Sequence, residues 1–161
     1  MTSVVRTHEL RKQFRSGLVA VDGIDLDVRE GDLFGFLGPN GAGKTTTIRL
    51  LLALISPTSG SIEMLGHDIA RHPHDALRGV GTLVEGPAFY PYLSGERNLM
   101  IFDGAGSDGV RRTRRARVRE VIERVGLGDV GDRPVKAYSL GMRQRLGLAA
   151  ALLRAPRLLV L

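Results

Sequence analysis

Gly38-Pro39-Asn40-Gly41-Ala42-Gly43-Lys44-Thr45 is the stretch on which the reading of this chain turns. It fits the pattern G-x-x-x-x-G-K-S/T, a Gly-rich loop of the phosphate-binding type. Its surroundings fit too. An apolar run at 33–37 precedes it, which predicts a strand. Ile48, Leu51, Leu52 and Ile55 follow at i, i+3, i+4 and i+7, which predicts a helix from about Lys44 that ends at Ser56-Pro57-Thr58-Ser59-Gly60. Glycines at 38, 41 and 43 permit positive φ, so successive backbone N–H groups can converge on one anion. The helix aims its positive dipole end at the same point. Lys44 adds a mobile charge for the β- and γ-phosphates, and the Thr45 hydroxyl can ligate Mg²⁺.

The composition bounds the rest. A chain of 161 residues can bury one substantial core. Its apolar share of 43% and charged share of 25% are those of a soluble globular protein. Cysteine is absent, which excludes disulfides and Cys-ligated metals. Of the histidines His8, His67, His72 and His74, the last three cluster loosely. No carboxylate sits at a zinc-protease spacing, so a solvated loop is expected there. The longest apolar run, 50–55, is far shorter than the roughly 20 residues of a membrane helix. No charged-then-apolar leader opens the chain, so a cytoplasmic location is expected.

The net charge of +6 has an address. Residues 111–124 hold seven arginines against Glu120 and Glu123, a local balance of +5, which leaves the remainder near neutral. Val118, Val121, Ile122 and Val125 recur at i, i+3, i+4 and i+7, and Gly126 suits a helix end. An amphipathic helix with a basic outer face is expected. No aromatics interleave with the arginines to stack bases, which favours a plainly solvated face. An anionic membrane surface, an acidic partner or a nucleic acid are the alternatives.

Elsewhere, Ile24, Leu26 and Val28 alternate with Asp25 and Asp27, which predicts a half-buried antiparallel strand. Short strands are expected at 62–65 and 80–84, the second followed by a loop holding Glu85, Gly86 and Pro87. Helices are expected at 98–102 and 111–125, separated by the Gly-rich stretch 103–109. A further helix at 141–153 carries Leu146, Ala149, Ala150 and Leu153 on one face. A buried strand begins at 157 and runs to the last residue, Leu161.

Over its whole length the chain resembles the ATP-binding subunit of an ABC transporter. Val21-Asp22-Gly23 and residues 38–47 look like that family's opening. Tyr90-Pro91, Leu93-Ser94-Gly95-Glu96 and Asn98-Leu99 look like its segment after the Q-loop. Tyr138-Ser139-Leu140-Gly141-Met142, followed by Arg143-Gln144-Arg145, stands where the family carries its LSGGQ signature. No N-K-x-D guanine-reading segment occurs, which argues against a GTPase. The resemblance implies an α/β P-loop NTPase core with an antiparallel β subdomain and a helical signature subdomain, and ATP and Mg²⁺ as cofactors. It implies that Gly38, Pro39, Asn40, Gly41, Ala42, Gly43, Lys44, Thr45 and Thr46 hold ATP, with Phe14 stacked on the adenine. Thr45 and Glu85 would serve Mg²⁺. Ser139, Leu140, Gly141 and Met142 would meet ATP held by a second subunit.

Departures from the family pattern are informative. Tyr138, Leu140 and Met142 differ from LSGGQ. Glu85 replaces the usual Q-loop glutamine, adding a negative charge and removing an amide donor. Bacitracin- and lantibiotic-type exporters look similar at that position, so the resemblance points to their branch. Bland readings stay open: Phe14 as a core residue, Glu85 as a surface carboxylate, the segment at Ser139 as an ordinary helix start. Residues 158–161 resemble the strand that the Walker B aspartate follows. The resemblance therefore implies that residues 1–161 are a partial ATP-binding domain, incomplete at the C-terminus and without catalytic residues. Alone it would not turn over ATP and would be poorly soluble.

The function implied is an ATP-binding and ATP-hydrolysing subunit that couples MgATP-driven dimerisation to transmembrane export of an unknown substrate. Its partners would be a second ATP-binding subunit and a transmembrane permease, with no nucleic acid, at the inner face of the cell membrane. A soluble ABC-class ATPase not linked to transport, or a nucleic-acid-binding module using the basic helix, are the alternatives.

Overall fold

A computed structural model describes residues 2–84, 86, 88–105 and 111–161. The chain divides into two compact units, Met1–Arg78 and Gly79–Leu161.

The first unit is built on an antiparallel sheet in the order β2-β1-β3-β4. Strand β1 is Ser3–Gln13, β2 Val19–Arg29, β3 Ser59–Met64 and β4 His67–Asp68; helix α1 is Lys44–Leu51 and α2 is Pro73–Leu77. The strand expected around Ile24 and Val28 is the centre of β2. The sequence reading missed β1, and the reason is a register shift between Thr7 and Leu10, where Glu9 takes φ 44°. Buried Val4, Val5, Thr7 and Leu10 therefore do not alternate as a regular strand requires. The Thr7 hydroxyl spans the irregularity: Oγ1 donates to Ile24 O at 2.8 Å and accepts from Leu26 N at 2.9 Å. His67 lies in β4 and His74 in α2, so the expected histidine loop is a strand and a helix, with the histidines exposed.

Two expectations around the Gly-rich loop are corrected. Residues 33–37 form no strand; Leu33 and Leu37 are 103% and 95% exposed. A strand exists through its ladder, and no described strand pairs with this run. Helix α1 also stops earlier than expected. Ala53 adopts φ 54°, Leu54 N donates to Arg49 O and Ala53 N to Leu50 O, a Schellman closure without the usual glycine.

In the second unit β5 (Val80–Thr82) and β6 (Leu158–Val160) pair in parallel. Helices α3 (Gly95–Ala105), α4 (Arg114–Arg124) and α5 (Leu140–Leu152) enclose the core. Leu99, Val118, Val121, Ile122, Leu127, Val135, Tyr138, Leu146, Ala149 and Leu153 fill it. The apolar stripes expected on α4 and α5 thus face inward, with Val125 and Ala150 half-buried. The strand expected to be buried at 157–161 is not: Leu159 and Leu161 are exposed.

Helix α3 is longer than its apolar pattern suggested and takes in Asp103, which the sequence reading gave to a Gly-rich connection. The remainder of that connection, 106–109, lies outside the described residues. Asp103 is fully buried: Arg114 Nε meets its Oδ2 at 2.9 Å, Arg117 Nη2 the same oxygen at 2.7 Å, and Arg117 Nε its Oδ1 at 3.1 Å. Arg154 donates to the Asp103 carbonyl at 3.0 Å. Two of the seven arginines in the basic segment are therefore internal fasteners of α3 to α4. Among the described residues no helix is long and apolar enough to cross a membrane.

Candidate nucleotide-binding site

The loop before α1 has the geometry its glycines allow. Gly41 and Gly43 both take φ 85°, a left-handed conformation that costs a side-chain-bearing residue about 1–2 kcal/mol. Gly43 is needed for a second reason. A Cβ there would stand 2.1 Å from the carbonyl oxygen of Ala20, so the loop packs its backbone directly on the start of β2. Gly43 is also the N-cap of α1 and contributes no side-chain cap, and the first turn holds no acidic residue. The leading N–H groups of a helix have no acceptor within it, so this end presents donors and positive dipole uncancelled by a carboxylate.

Thr47, fully buried one turn into α1, donates through Oγ1 to Gly43 O at 3.0 Å and fastens helix to loop. Lys44 Nζ donates to the carbonyls of Gly38 and Pro39 at 2.6 and 2.7 Å, and Ala42 N donates to Pro39 O at 3.2 Å. Asn40 and Thr45 are exposed and Thr46 half-buried. N–H groups at the start of α1, a lysine and a hydroxyl are the chemistry that suits a polyphosphate. The start of α1 offers Mg²⁺ a hydroxyl at exposed Thr45 and no carboxylate, so an ion there would be held largely through phosphate oxygens. Glu85 lies outside the described residues.

Phe14 sits in the turn joining β1 to β2, where its N–H donates to Leu18 O at 2.8 Å and its carbonyl accepts from Gly17 N. It is 39% exposed, with Lys12 Nζ 5.5 Å from the ring centroid. The core reading of Phe14 therefore fails. The turn leads into Ala20, on which Gly43 rests, so the ring and the Gly-rich loop belong to neighbouring parts of the first unit.

In the second unit Ser139 is the N-cap of α5, its Oγ accepting from Met142 N at 3.2 Å. Leu140 and Gly141 are exposed, and a Cβ on Gly141 would touch nothing within 4 Å. Met142 packs against the core. Tyr138 is buried, and its hydroxyl donates to Val130 O at 2.7 Å; burial pushes this phenol up from its ordinary pKa. Two of the three departures from LSGGQ, at 138 and 142, are thus inward-facing residues, while Ser139 and Gly141 face solvent. The sequence reading did not single out Thr47; its place four residues after Gly43 was the one signal the sequence offered, and its burial shows only in the fold.

The ABC transporter family profile matches residues 21–161. The bacitracin transport ATP-binding protein BcrA of Bacillus licheniformis is 45% identical over 161 residues, all of this chain and 51% of that protein. The daunorubicin/doxorubicin resistance ATP-binding protein DrrA of Streptomyces peucetius is 40% identical over 160 residues, 99% of this chain and 48% of that protein. The chain spans about half the length of these curated relatives. Among solved structures, cbiO1 from Clostridium perfringens, part of an ABC transporter complex, aligns with a TM-score of 0.84 at 23% identity, covering 99% of this chain and 64% of that one. The ADP conformation of an ATP-binding cassette aligns with a TM-score of 0.84 at 22% identity, over 99% of this chain and 68% of that one. With its Gly-rich loop leading into α1 and this likeness along its whole length, the chain belongs to the ABC transporter family of nucleotide-binding proteins.

Proposed function

We propose that residues 1–161 are part of the ATP-binding domain of a transport ATPase. In this reading MgATP binding brings two such subunits together, and their cycle drives a transmembrane permease that exports a substrate. The observation that carries the reading is the loop itself: left-handed glycines at 41 and 43, the second an N-cap packed on Ala20, and Lys44 with its ammonium on the loop's own carbonyls at Gly38 and Pro39.

The roles follow from the chemistry of the groups. Residues Gly38 to Thr46 hold the phosphates through backbone N–H groups, including those of Asn40, Gly41 and Gly43; Pro39 has none and Ala42 directs its own to Pro39 O, so these two shape the loop, and Lys44 balances the phosphate charge. Thr45 offers its hydroxyl to Mg²⁺, with Glu85 as a second oxygen donor. Phe14 stacks on the purine, an interaction worth roughly 1–3 kcal/mol by analogy with base stacking on aromatics. Ser139 and Gly141, at the exposed start of α5, meet the γ-phosphate of ATP held by the second subunit, flanked by Leu140 and Met142. Mg²⁺ held beside Thr45 would supply neutralisation of the phosphate charge. Transport and drug-resistance relatives favour export and a place at the inner face of the membrane beside a permease.

The test is calorimetry with MgATP on the full-length protein and its Lys44→Ala variant. Removing a charge-assisted contact should cost about 1.5–3 kcal/mol, an affinity loss of roughly 10- to 150-fold. Unchanged affinity would mean that the loop does not hold phosphate.

A further inference from the structure

Two segments distant in sequence are laced together beside Ser139. Residues 90–96 run alongside residues 130–138: Glu96 N donates to Gly131 O at 2.9 Å, Gly95 N to Arg133 O at 3.3 Å, Val135 N to Leu93 O at 3.0 Å and Lys136 N to Pro91 O at 2.8 Å. Ser94 and Pro134 form an antiparallel bridge between them.

Each segment is pinned by one buried side chain. Asn98 is fully buried on α3; its Oδ1 accepts from Tyr90 N at 2.8 Å, and its Nδ2 donates to the carbonyls of Tyr90, Leu93 and Ser94 at 3.1, 3.3 and 3.0 Å. Tyr138 pins the other, through its hydroxyl bond to Val130 O. The phenol end occupies space that only glycine leaves at 95, where a Cβ would stand 2.5 Å from the hydroxyl oxygen. From there the chain has no slack. A 3-10 turn at Val135–Ala137 is closed by Ala137 N to Pro134 O and Tyr138 N to Val135 O, and the next residue is Ser139.

We propose that Asn98 and Tyr138 are positioning residues for Ser139, fixing the height and direction from which its hydroxyl is offered at the start of α5. The proposal rests on the reading of Ser139 as the group that meets nucleotide held by a second subunit. A single hydroxyl contributes across an interface only if its carrier is held within about 0.5 Å of the productive place. A carrier that must first be ordered spends part of the contact on that ordering. Tyrosine in place of the signature leucine adds one hydrogen bond to that restraint, a bond that leucine cannot make.

Sedimentation of the full-length protein with a non-hydrolysable ATP analogue tests this, using Tyr138→Phe, Asn98→Ala and Ser139→Arg. Tyr138→Phe keeps the ring and removes only the hydroxyl, so it should fold. Its analogue-dependent dimerisation should weaken about three- to tenfold, the effect of losing one hydrogen bond. Analogue affinity of its monomer should stay within about twofold of wild type, a separation that general destabilisation would not produce. Asn98→Ala should show the same pattern with a larger effect. If Ser139→Arg dimerises normally, the trans role of Ser139 is wrong. If Ser139→Arg abolishes dimers while Tyr138→Phe dimerises as wild type, or loses monomer affinity in step with dimerisation, the positioning role alone is overturned.

Discussion

Replacing Asp103 by asparagine isolates the contribution of one buried charge to the helical unit. The carboxylate is enclosed, and three guanidinium bonds at 2.7–3.1 Å tie it to Arg114 and Arg117 on α4. Asparagine keeps the volume and one acceptor, but it turns an amide N–H₂ toward a guanidinium and removes the negative charge. Breaking a buried pair from one side costs about 3–5 kcal/mol when the orphaned ion stays buried. Here the two arginine side chains are 24% and 25% exposed, so both can partly rehydrate and the cost falls to about 2–4 kcal/mol. At this size each kcal/mol moves the midpoint of thermal unfolding by about 2–4 °C, giving a drop of roughly 4–16 °C. Urea titration of the full-length protein at pH 7, followed by circular dichroism, measures the free energy directly. Arg112→Gln, on the exposed flank of the same segment, serves as the comparison and should change stability by less than about 0.5 kcal/mol. A loss below about 0.5 kcal/mol in Asp103→Asn would refute the view that this pair holds α3 to α4.

The same carboxylate sets an acid limit. Burial raises its pKa, but the bonds from Arg117 and Arg114 outweigh burial and leave it below the ordinary 3.8. A depressed folded pKa gives stability that is complete above the unfolded value and is lost as pH falls below about 4. The wild type should therefore lose stability in that window more steeply than Asp103→Asn, and parallel slopes in urea titrations at pH 3–5 would contradict this. Gly43→Ala should abolish MgATP binding more completely than Lys44→Ala, since its Cβ meets a backbone carbonyl at 2.1 Å and its φ is 85°. Calorimetry returning wild-type affinity would sink the claim that the loop packs on Ala20.

Much of this was legible because the decisive signals are local. A loop that needs glycine at 41 and 43 must carry it in sequence, and a helix that buries one stripe must space Val118, Val121 and Ile122 accordingly. What escaped reading depends on partners far along the chain. Strand β1 is hidden because its irregularity at Glu9 breaks the alternation, and it is held by β2 and β3 rather than by its own pattern. Asp103 looked like loop chemistry between glycines, since nothing local announces that Arg114 and Arg117 will close on it. Residues 33–37 erred the other way: an apolar run reads as a strand, yet pairing is a property of two segments. Tyr138 looked like a defect in a signature and is instead a core residue with a satisfied hydroxyl.

The irregularity in β1 is balanced by its neighbour β2. Side chains on a strand alternate between two faces, so one additional residue reverses the assignment of everything beyond it. Against β2 the register of β1 slips between Ser3 and Val5, between Thr7 and Leu10, and twice more between Leu10 and Gln13, so buried Val4, Val5, Thr7 and Leu10 follow no single alternation. The Thr7 hydroxyl stands in for the backbone groups the phase change displaces. The slip at Glu9 is undone before the turn: Thr7↔Leu26 and Lys12↔Val21 share one register, and Leu10↔Ile24 between them stands one residue out of it. The extra residue of β1 at Glu9 is answered by one of β2 between Val21 and Ile24, where Gly23 takes φ 66°, so a change of length in one strand is absorbed by its neighbour before the turn at Phe14.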